Sequence, residues 1–593
     1  MSCPFRPASW VAFDLEWYPA PGALPVPRLL TAIESSAGKV HRLGETQLRR
    51  LRRPPFPIGP EVITCAFSAS SDLVPWLVLG WDLPERVVCT YAEHRVRTNG
   101  IRSEFGDDLL GACARRNIPY TSSDAVKKRW HERFRDPRPL DPHEEKEAFE
   151  YCLADSLANL HLAQEFERDI WWERALHYGE YTKALATIEF NGIPLDTETL
   201  SLFQRSVGEA KLALIEEGDR EFGCYENGHL RNNRVWAFAA RNHIPWPELS
   251  SGAPVLADEE LKTLAARYPV VEGFRQLKKT VGALRLNKYA AGLDGRSHVS
   301  LHGFGTKTRR NAPKGSLSVF LGPAWMRGFM RAQPGRALIY LDFEAEEFAI
   351  GAAQSGDKGM IRAYQTADQY MATGVLMGLA PVGATKDTHP EVRALCKVLT
   401  LAIGYGMTAW GLARRLGIDE DQAADFLLRY RNAFPVFCAW ADGMVAHAKA
   451  HKGISTPFGW RMYVPRSINP RTLLNWPAQS LGSDLLRLVA IALVDAGIKV
   501  LSLIHDAVLV EAQIVEIETV VQQAKGIMVR ASEQVVGMPL RVDIGSEDEP
   551  HIFPYPARFR DKREGDMYDR MVRLLWKIDG AKGRSLEEGA TYQ

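Results

Sequence analysis

Two apolar stretches in the second half of the chain have the length and residue types of β-strands, and each carries an aspartate. Residues 337–341 are followed directly by Asp342 and then by polar positions, which predicts a strand that ends at this aspartate. Residues 500–510 have His505 and Asp506 near their centre, which predicts a hairpin with these two residues at its turn. One such aspartate is often a capping or turn residue, but two of them predict a shared site for divalent cations.

The stretch between these strands has the four-residue period of an α-helix. Arg393, Lys397, Leu401 and Tyr405 recur at every fourth position, so on a helix their side chains lie in one stripe. Two cations one turn apart suit a run of phosphates, and the apolar and aromatic positions beyond them suit a sugar and a base. The stripe therefore predicts a nucleoside triphosphate site. An amphipathic core helix with two solvated cations would have the same pattern, and the flanking aspartates favour the ligand.

A second carboxylate pair lies near the N-terminus. Residues 10–17 predict a strand on which Asp14 and Glu16 occupy alternate positions and so share one face. The two charges repel each other unless a cation lies between them, which predicts a divalent metal, although an exposed edge with an arginine neighbour could tolerate the pair. Further along, Tyr151 and Asp155 lie one turn apart in a helical pattern.

Composition narrows the class of protein without deciding its function. The chain has 593 residues, of which 46% are hydrophobic and 24% are charged, so it has material for about three or four globular domains. The net charge is +1, so a DNA-binding groove would need locally clustered Arg and Lys. Eight cysteines without a Cys-x-x-Cys pair argue against a zinc site or a disulfide framework and fit the cytoplasm, or the host cytoplasm if the protein is viral. We find no apolar signal core and no run approaching the roughly 20 apolar residues of a membrane span.

In this order, the stretches 337–348, 393–406 and 500–510 resemble motifs A, B and C of the family A DNA polymerases, the DNA polymerase I type. The resemblance covers most of the chain and includes residues 308–310, Thr-Arg-Arg where the family has Thr-Gly-Arg. It implies that a primer 3′-hydroxyl attacks the α-phosphate of a dNTP between two Mg²⁺ ions, for which Mn²⁺ can substitute, held by Asp342 and Asp506. The expected partners are primer-template DNA and dNTPs. The layout resembles a Klenow-like large fragment or a compact phage replicative polymerase.

The resemblance also implies roles for residues around these aspartates. Lys397 would neutralise the triphosphate and protonate the leaving group, while Arg393 would hold the terminal phosphate. Glu347 would be the steric gate against a ribose 2′-hydroxyl, and Leu401 and Tyr405 would contact the nucleotide, with Tyr405 beside the template base. Contacts with DNA are implied for Arg310, Arg471, Asn475, Gln479 and His505.

Four positions depart from the family pattern. Arg309 replaces a glycine, Leu401 replaces Phe or Tyr, Ala507 replaces the glutamate after His-Asp, and Ala349 replaces an arginine. None of them removes an aspartate that is expected to hold metal. The competing interpretation is a catalytically altered, polymerase-like DNA-binding protein, but a binding role would not need a buried pair of acids. An RNA-templated or translesion enzyme on the same fold would have the same motifs.

The N-terminal residues resemble the first and third motifs of a DEDD-type 3′→5′ proofreading exonuclease. Asp14, Glu16 and Asp155 would hold metal, and Tyr151 would orient the attacking water. The second motif should supply one more acid on a helix that follows a short apolar strand. We assign the second motif to the predicted strand-to-helix transition at residues 86–95. Strict alignment with the family pattern puts Arg95 at the position of the acid, so we choose Glu93, which is the nearest carboxylate. The alternatives are Asp82, Asp72 and the pair Asp107 and Asp108. A degenerate exonuclease kept as a scaffold is also compatible with these residues.

The expected fold is an α/β multidomain protein, with an RNase H-like exonuclease domain followed by a right-hand polymerase. The polymerase would have an antiparallel palm sheet and a helical thumb and fingers. An amphipathic helix from residue 566 would dock on the palm or bind a replication accessory protein. The predicted ranges are 1–170 for the exonuclease domain, 171–300 for the thumb, 301–355 and 491–550 for the palm, 356–490 for the fingers and 551–593 for a C-terminal extension.

Overall fold

The structure is a computed structural model that describes residues 9–284, 289–313, 318–546 and 550–590. Its strands are β1 (Ser9–Tyr18), β2 (Val26–Glu34), β3 (Lys39–Gly44), β4 (Val62–Ala66), β5 (Val87–Cys89), β6 (Ile193–Pro194), β7 (Tyr225–Glu226), β8 (His229–Leu230), β9 (Arg296–Ser297), β10 (Leu301–His302), β11 (Ala312–Pro313), β12 (Arg336–Phe343), β13 (Gly453–Ser455), β14 (Arg461–Tyr463), β15 (Lys499–Ile504), β16 (Ala507–Gln513), β17 (Val542–Asp543) and β18 (Ile552–Pro554).

The α-helices among the described residues are α1 (Glu45–Arg50), α2 (Ala69–Val78), α3 (Thr90–Thr98), α4 (Leu109–Ala114), α5 (Asp124–Phe134), α6 (Pro142–Glu167), α7 (Trp172–Asn191), α8 (Thr197–Gly218), α9 (Asn232–Arg241), α10 (Asp258–Arg267), α11 (Val270–Ala283), α12 (Glu346–Ser355), α13 (Lys358–Gln365), α14 (Gln369–Leu376), α15 (Pro390–Gly404), α16 (Ala409–Leu416), α17 (Glu420–Ala433), α18 (Pro435–Ala450), α19 (Pro470–Asp495), α20 (Ile517–Val536) and α21 (Met567–Ala590). The expected mixture of helices and strands is confirmed.

The chain divides into two compact units. The first contains Met1–Gly192, His298–Pro313 and Gly335–Ile552, and the second contains Ile193–Ser297, Lys314–Pro334 and Phe553–Gln593. The predicted domain boundaries at residues 170, 300, 355, 490 and 550 stay predictions.

The N-terminal sheet of the first unit has the strand order β3-β2-β1-β4-β5. β1 is antiparallel to β2 and parallel to β4, while β5 pairs with β4 alone among the described strands. The strand predicted at residues 10–17 is confirmed as β1, which is buried from its start to Phe13 and again at Leu15 because α2 and α6 pack on the sheet. α6 begins at Pro142 after the capping residue Asp141, whose carboxylate accepts two backbone N–H groups.

The central sheet of the first unit has the order β15-β16-β12-β17 and is antiparallel. β12 confirms the predicted strand that delivers Asp342, and β15 with β16 confirms the predicted hairpin, whose turn is His505 and Asp506. His505 has a φ of 53°, the left-handed conformation that tight hairpin turns require. The register places Asp342 opposite Ala507, so the two aspartates meet at one end of this sheet.

The predicted helix between the strands is confirmed as α15. Pro390 opens it, and Gly406 follows its end with a φ of 60°. A second long helix, α19, packs against α12, α18 and β15. Among the described residues, α19 is the one helix whose length and composition would allow a membrane crossing. That is weak evidence, because 61% of its apolar window is buried inside the protein, as in an ordinary core helix.

The second unit is mainly helical. Its core lies between α8, α9, α10 and α11 and is built from aromatic and aliphatic side chains of residues 215–281. α11 ends at Ala283, and residues 285–288 lie outside the described residues. α21 packs along α8, where Arg205 Nη2 lies 3.0 Å from Asp579 Oδ2.

Candidate functional site

Two carboxylates meet where β12 ends against the β15–β16 turn. The Phe343 N–H donates to the Asp506 carbonyl over 3.2 Å, which fixes the turn beside the end of β12. Asp506 also accepts a hydrogen bond from the carboxyl group of Asp342. Burial raises the pKa of Asp506, and the positive charge of Arg310 opposes that rise. The structure thus brings together the two aspartates that the sequence predicts as metal ligands.

Two glutamates follow Asp342 at the start of α12. The chain passes through Ala345 with a φ of 47° and then begins the helix with Glu346 and Glu347. Glu347 Oε1 accepts a hydrogen bond of 2.7 Å from Arg310 Nη2, so the predicted steric gate and a predicted DNA contact are neighbours.

Sequence reasoning gave Glu346 no role, yet only 2% of its surface is exposed. Burial, followed by the charge of Asp506, raises its pKa well above the usual range of a glutamate, and Arg310 opposes the rise. The charges of Glu347 and Asp342 raise it further. The one sequence signal for this residue was its position directly before Glu347.

The predicted stripe lies on the exposed side of α15. Leu401 is 38% exposed and Tyr405 is 41% exposed, and Lys397 is exposed one turn earlier. The helix packs through its other side, because the buried positions are Val392, Cys396, Leu399 and Ala402. This arrangement matches a helix that presents one face to a ligand.

Polar contacts connect the stripe with its surroundings. Arg393 Nε donates to Asp368 Oδ2 over 2.5 Å, and the guanidinium lies 5.6 Å from the centre of the Tyr370 ring. At the other end, Tyr405 Oη accepts a hydrogen bond of 3.1 Å from Gln479 Nε2 on α19. A predicted nucleotide contact and a predicted DNA contact are therefore joined.

The helix α19 also faces the acids. A Cβ atom at Gly482 would lie 2.6 Å from Glu346 Oε2, so the missing side chain makes room for this carboxylate. Gly482 follows Gln479 by one turn, and α19 therefore contacts both α15 and the start of α12. Arg471 and Asn475 lie on the first turns of the same helix, the former exposed and the latter half-buried.

Arg309, which replaces the glycine of the family pattern, keeps a glycine-like conformation with a φ of 61°. Its side chain is fully buried and donates hydrogen bonds to Asp484 on α19 and to Tyr178 on α7. Its guanidinium lies 4.7 Å from the centre of the Trp460 ring. This network fixes the backbone immediately before Arg310.

Four carboxylates interact in the N-terminal sheet region: Asp14 and Glu16 on β1, Asp72 on α2 and Asp155 on α6. Burial and then the charge of Asp155 raise the pKa of Asp14 from 3.8 to about 7. Burial, followed by the charges of Asp14, Asp155 and Asp72, raises the pKa of Glu16 well above its usual range. Asp72 accepts a hydrogen bond from the Leu15 backbone N–H. Three of the four acids were predicted by sequence.

The structure places Glu93, the acid assigned to the second motif by sequence, in a different environment from these four. Glu93 lies on α3 as expected, but its carboxylate is engaged by Arg97 and Arg174 at 2.5 and 2.6 Å. Asp72, one of the alternatives, occupies the position among the carboxylates. The strand β4 is followed by Ser68 and then by α2, which carries Asp72. Ser68 has a φ of 63°, a conformation that asparagine adopts readily, and an asparagine is what the family pattern has after this strand.

Two tyrosines and a lysine surround Asp155. Tyr151 lies one turn away on α6 and stacks on Trp130, with ring centres 6.3 Å apart. Both Tyr151 and Tyr120 donate hydrogen bonds to Asp155. The charge of Lys127 opposes the rise of the pKa values of Asp14, Glu16 and Asp155. Sequence reasoning missed Tyr120 and Lys127, because neither lies in a recognisable motif.

Each group of acids contains a carboxylate oxygen without a hydrogen-bond partner. Asp14 Oδ2 and Glu346 Oε1 are buried and have no hydrogen-bond partner. Oxygen ligands of this kind fit Mg²⁺ or Mn²⁺. Within the described ranges, no group of three or more His, Cys, Asp or Glu side chains is already arranged to hold a metal ion. The carboxylates would therefore have to draw closer together around a cation.

Comparisons with known proteins agree on one family. The protein-family model described as DNA polymerase family A matches residues 252–549. DNA polymerase I of Chloroflexus aurantiacus is 27% identical over 438 residues, which are 67% of this chain and 46% of that protein. The thermostable DNA polymerase I of Thermus thermophilus is 28% identical over 397 residues, 62% of this chain and 47% of that protein. The chain thus spans about half the length of the curated relatives it matches.

A solved structure supports the fold. The POL domain of Pol1 from M. smegmatis, in complex with DNA primer-template and dNTP, has a TM-score of 0.70 with this chain at 20% identity. The similarity covers 90% of this chain and 94% of that one.

Proposed function

Because the chain belongs to the family A DNA polymerases, we propose that it adds dNTPs to the 3′ end of a primer under the direction of a DNA template. The observation that carries this proposal is the contact of α19 with both halves of the site. Gln479 binds Tyr405 at the end of the cationic stripe, and Gly482, one turn later, accommodates the acid beside Asp342 and Asp506. At the cationic end of the stripe, the Arg393 guanidinium lies 5.6 Å from the centre of the Tyr370 ring, and the charge of Asp506 acts on Tyr370. The phosphates of a triphosphate on the stripe would therefore lie towards the acids.

The residues of the chain divide the work of phosphoryl transfer. Asp342 and Asp506 would hold Mg²⁺, which supplies charge stabilisation for the attacking and leaving oxygens. Lys397 and Arg393 bind the triphosphate, and Lys397 donates a proton to the leaving pyrophosphate. Glu347, fixed by Arg310, excludes a ribose 2′-hydroxyl.

Arg393 must exchange partners when a nucleotide binds. Its guanidinium is held by Asp368 in this structure and would turn to the terminal phosphate, which is the stronger anion. DNA contacts are supplied by Arg310, Arg471, Asn475, Gln479 and His505.

Primer extension by the full chain tests the proposal. We expect Asp342→Ala and Asp506→Ala each to abolish extension while DNA binding in a gel-shift assay is retained, since each change removes a metal ligand and no phosphate contact. Glu518→Ala, an exposed site on α20, is the matched control and should extend primers normally. Near-normal extension by either aspartate variant would contradict the two-metal assignment. Parallel DNA and RNA templates, with and without Mg²⁺, identify the template.

We also propose a 3′→5′ exonuclease at the N-terminal sheet, with Asp14, Glu16, Asp72 and Asp155 as its acids. The strand order, with three antiparallel strands followed by two parallel ones, supports an RNase H-like domain. Tyr151 would orient the attacking water.

Asp72→Asn separates this assignment from the one based on sequence. We expect this variant to lose degradation of mismatched 3′ ends, whereas Glu93→Gln retains it, since Glu93 faces two arginines away from the other acids. Loss of degradation in Glu93→Gln alone would restore the sequence assignment. No degradation by the unmodified chain, under conditions where it extends primers, would make the domain a scaffold.

The remaining assignments follow from the family. We place the protein in the cytoplasm, or in the host cytoplasm if it is viral, where its buried free cysteines would stay reduced. The C-terminal helix α21 would bind a replication accessory protein through Trp576, which is 47% exposed.

A further inference from the structure

We propose that Glu346 is a further carboxylate ligand of the cations at Asp342 and Asp506, and that it replaces the glutamate which the family pattern has at position 507. This inference rests on the proposed polymerase function, because it concerns the same cations. It assigns a role to a residue for which neither the motifs nor the comparisons provide one.

The position that lost its carboxylate is next to Asp342. Ala507 pairs directly with Asp342 across β12 and β16, and its side chain is fully buried. Directly opposite residues of an antiparallel pair have Cβ atoms about 5 Å apart and point to the same face. A glutamate at 507 would therefore extend on the face of the sheet where Asp342 lies, and alanine leaves that face with one acid fewer.

Glu346 supplies a carboxylate to this group from α12 instead of from the sheet. It is the first residue of α12, and its charge interacts with those of Asp506 and Asp342. It is 2% exposed, and its Oε1 atom is buried without a hydrogen-bond partner. An unpaired buried carboxylate is strongly unfavourable, so its presence in a well-packed region indicates a missing positive partner. Arg310 provides part of that charge, but its hydrogen bond goes to Glu347.

The packing around Glu346 is adapted to hold the carboxylate in place. Gly482 on α19 is the residue that faces it, and a Cβ atom there would lie 2.6 Å from Oε2 and 2.8 Å from Oε1. Alanine is the better helix former at an interior position, so glycine at 482 is unfavourable for the helix itself. The space that it leaves is filled by the Glu346 carboxylate.

Direct measurement of Mn²⁺ binding tests the inference without relying on activity. The full chain is studied without DNA in a background of Asp14→Ala and Asp155→Ala, so that the exonuclease acids do not contribute. Mn²⁺ affinity is measured by electron paramagnetic resonance. We expect Glu346→Gln to weaken Mn²⁺ binding by about tenfold, the low end of what loss of a supporting metal-site residue produces. Glu344→Gln is the matched control, because Glu344 lies in the same segment but pairs with Arg541, and it should bind Mn²⁺ normally.

Two further variants test the position of the carboxylate and the replacement. Gly482→Ala keeps every charge but displaces the carboxylate, so it should also weaken Mn²⁺ binding. Adding Ala507→Glu to Glu346→Gln should restore the affinity. Equal Mn²⁺ affinity in Glu346→Gln and the parent would overturn the inference. The inference would also fail if Gly482→Ala did not weaken Mn²⁺ binding and Ala507→Glu did not restore it. The Asp342→Ala variant separates failure of this inference from failure of the proposed function. If this variant also binds Mn²⁺ normally, the polymerase assignment itself fails.

Discussion

The burial and mutual repulsion of the N-terminal acids predict that the metal-free protein becomes less stable as the pH rises. Burial and the charge of Asp155 raise the pKa of Asp14 to about 7 in the folded protein, from 3.8 for a free aspartate. Between these two pH values the folded state binds more protons than the unfolded state does. The free energy of unfolding therefore falls with rising pH across this window, and the full loss is present above pH 7.

The size of the effect follows from the same change in pKa. Each factor of ten in an acid dissociation constant corresponds to about 1.4 kcal/mol, so a rise from 3.8 to about 7 corresponds to about 4 kcal/mol. The side chain of Asp14 is partly exposed to solvent, and screening by water reduces this free energy. We expect Asp14→Asn, which keeps the shape and removes the charge, to raise the free energy of unfolding by about 2 kcal/mol at pH 8, and by much less at pH 4.

Urea denaturation in the presence of a chelator, at pH 4 and pH 8, measures this difference. Asp387→Asn removes a carboxylate from an exposed loop and is the control for a general charge effect. Excess Mg²⁺ should then stabilise the unmodified protein at pH 8 more than the Asp14→Asn variant. If Asp14→Asn were less stable than the unmodified protein at pH 8, or equally stabilised at both pH values, the acids would not repel each other as described.

Three further predictions concern the polymerase site. Leu401→Tyr should relax discrimination against dideoxynucleotides in primer extension, because the leucine side chain has no hydroxyl to replace a missing 3′-hydroxyl; equal use of both nucleotides by the unmodified protein would contradict this. Asp368→Asn should keep its capping of α14 but release Arg393, so the KM for dNTPs should fall at unchanged kcat, and an unchanged KM would show that the ion pair does not compete. Arg309→Gly tolerates the left-handed backbone but leaves Asp484 without its main partner, and should lower the free energy of unfolding in urea by about 3–5 kcal/mol. Unchanged stability would mean that Arg487, 3.7 Å from Asp484, suffices alone.

The strands and helices of the proposed polymerase site could be predicted because their patterns are local. β12, the β15–β16 hairpin and α15 lie where the apolar runs and the four-residue period placed them. Backbone geometry alone then aligns the stripe on α15 and puts Asp506 at a turn. None of these elements required knowledge of what packs against them.

The fourth acid of the N-terminal group could not be identified in this way, because the same local pattern occurs twice. β4 leads into α2 with Asp72, and β5 leads into α3 with Glu93. What separates them is strand order: β4 pairs with β1, which carries Asp14 and Glu16, whereas β5 pairs only with β4 among the described strands. The acid nearer to β1 joins the group, and strand order is a long-range property.

Glu346 escaped sequence reasoning for a related reason, because its burial depends on a glycine 136 positions further along the chain. The helix α19, which supplies that glycine, also holds Tyr405 through Gln479 and the buried arginine before Arg310 through Asp484. With a rise of 1.5 Å per residue, Gln479 and Asp484 lie about 8 Å apart along one largely buried helix. Because these contacts lie close together on one rigid helix, they hold the segments that carry the acids in fixed positions relative to each other. We therefore expect a bound nucleotide to rearrange α15 and its ion pair with Asp368, while the backbone that carries the acids stays where α19 and the central sheet hold it and only the carboxylate side chains close around a cation.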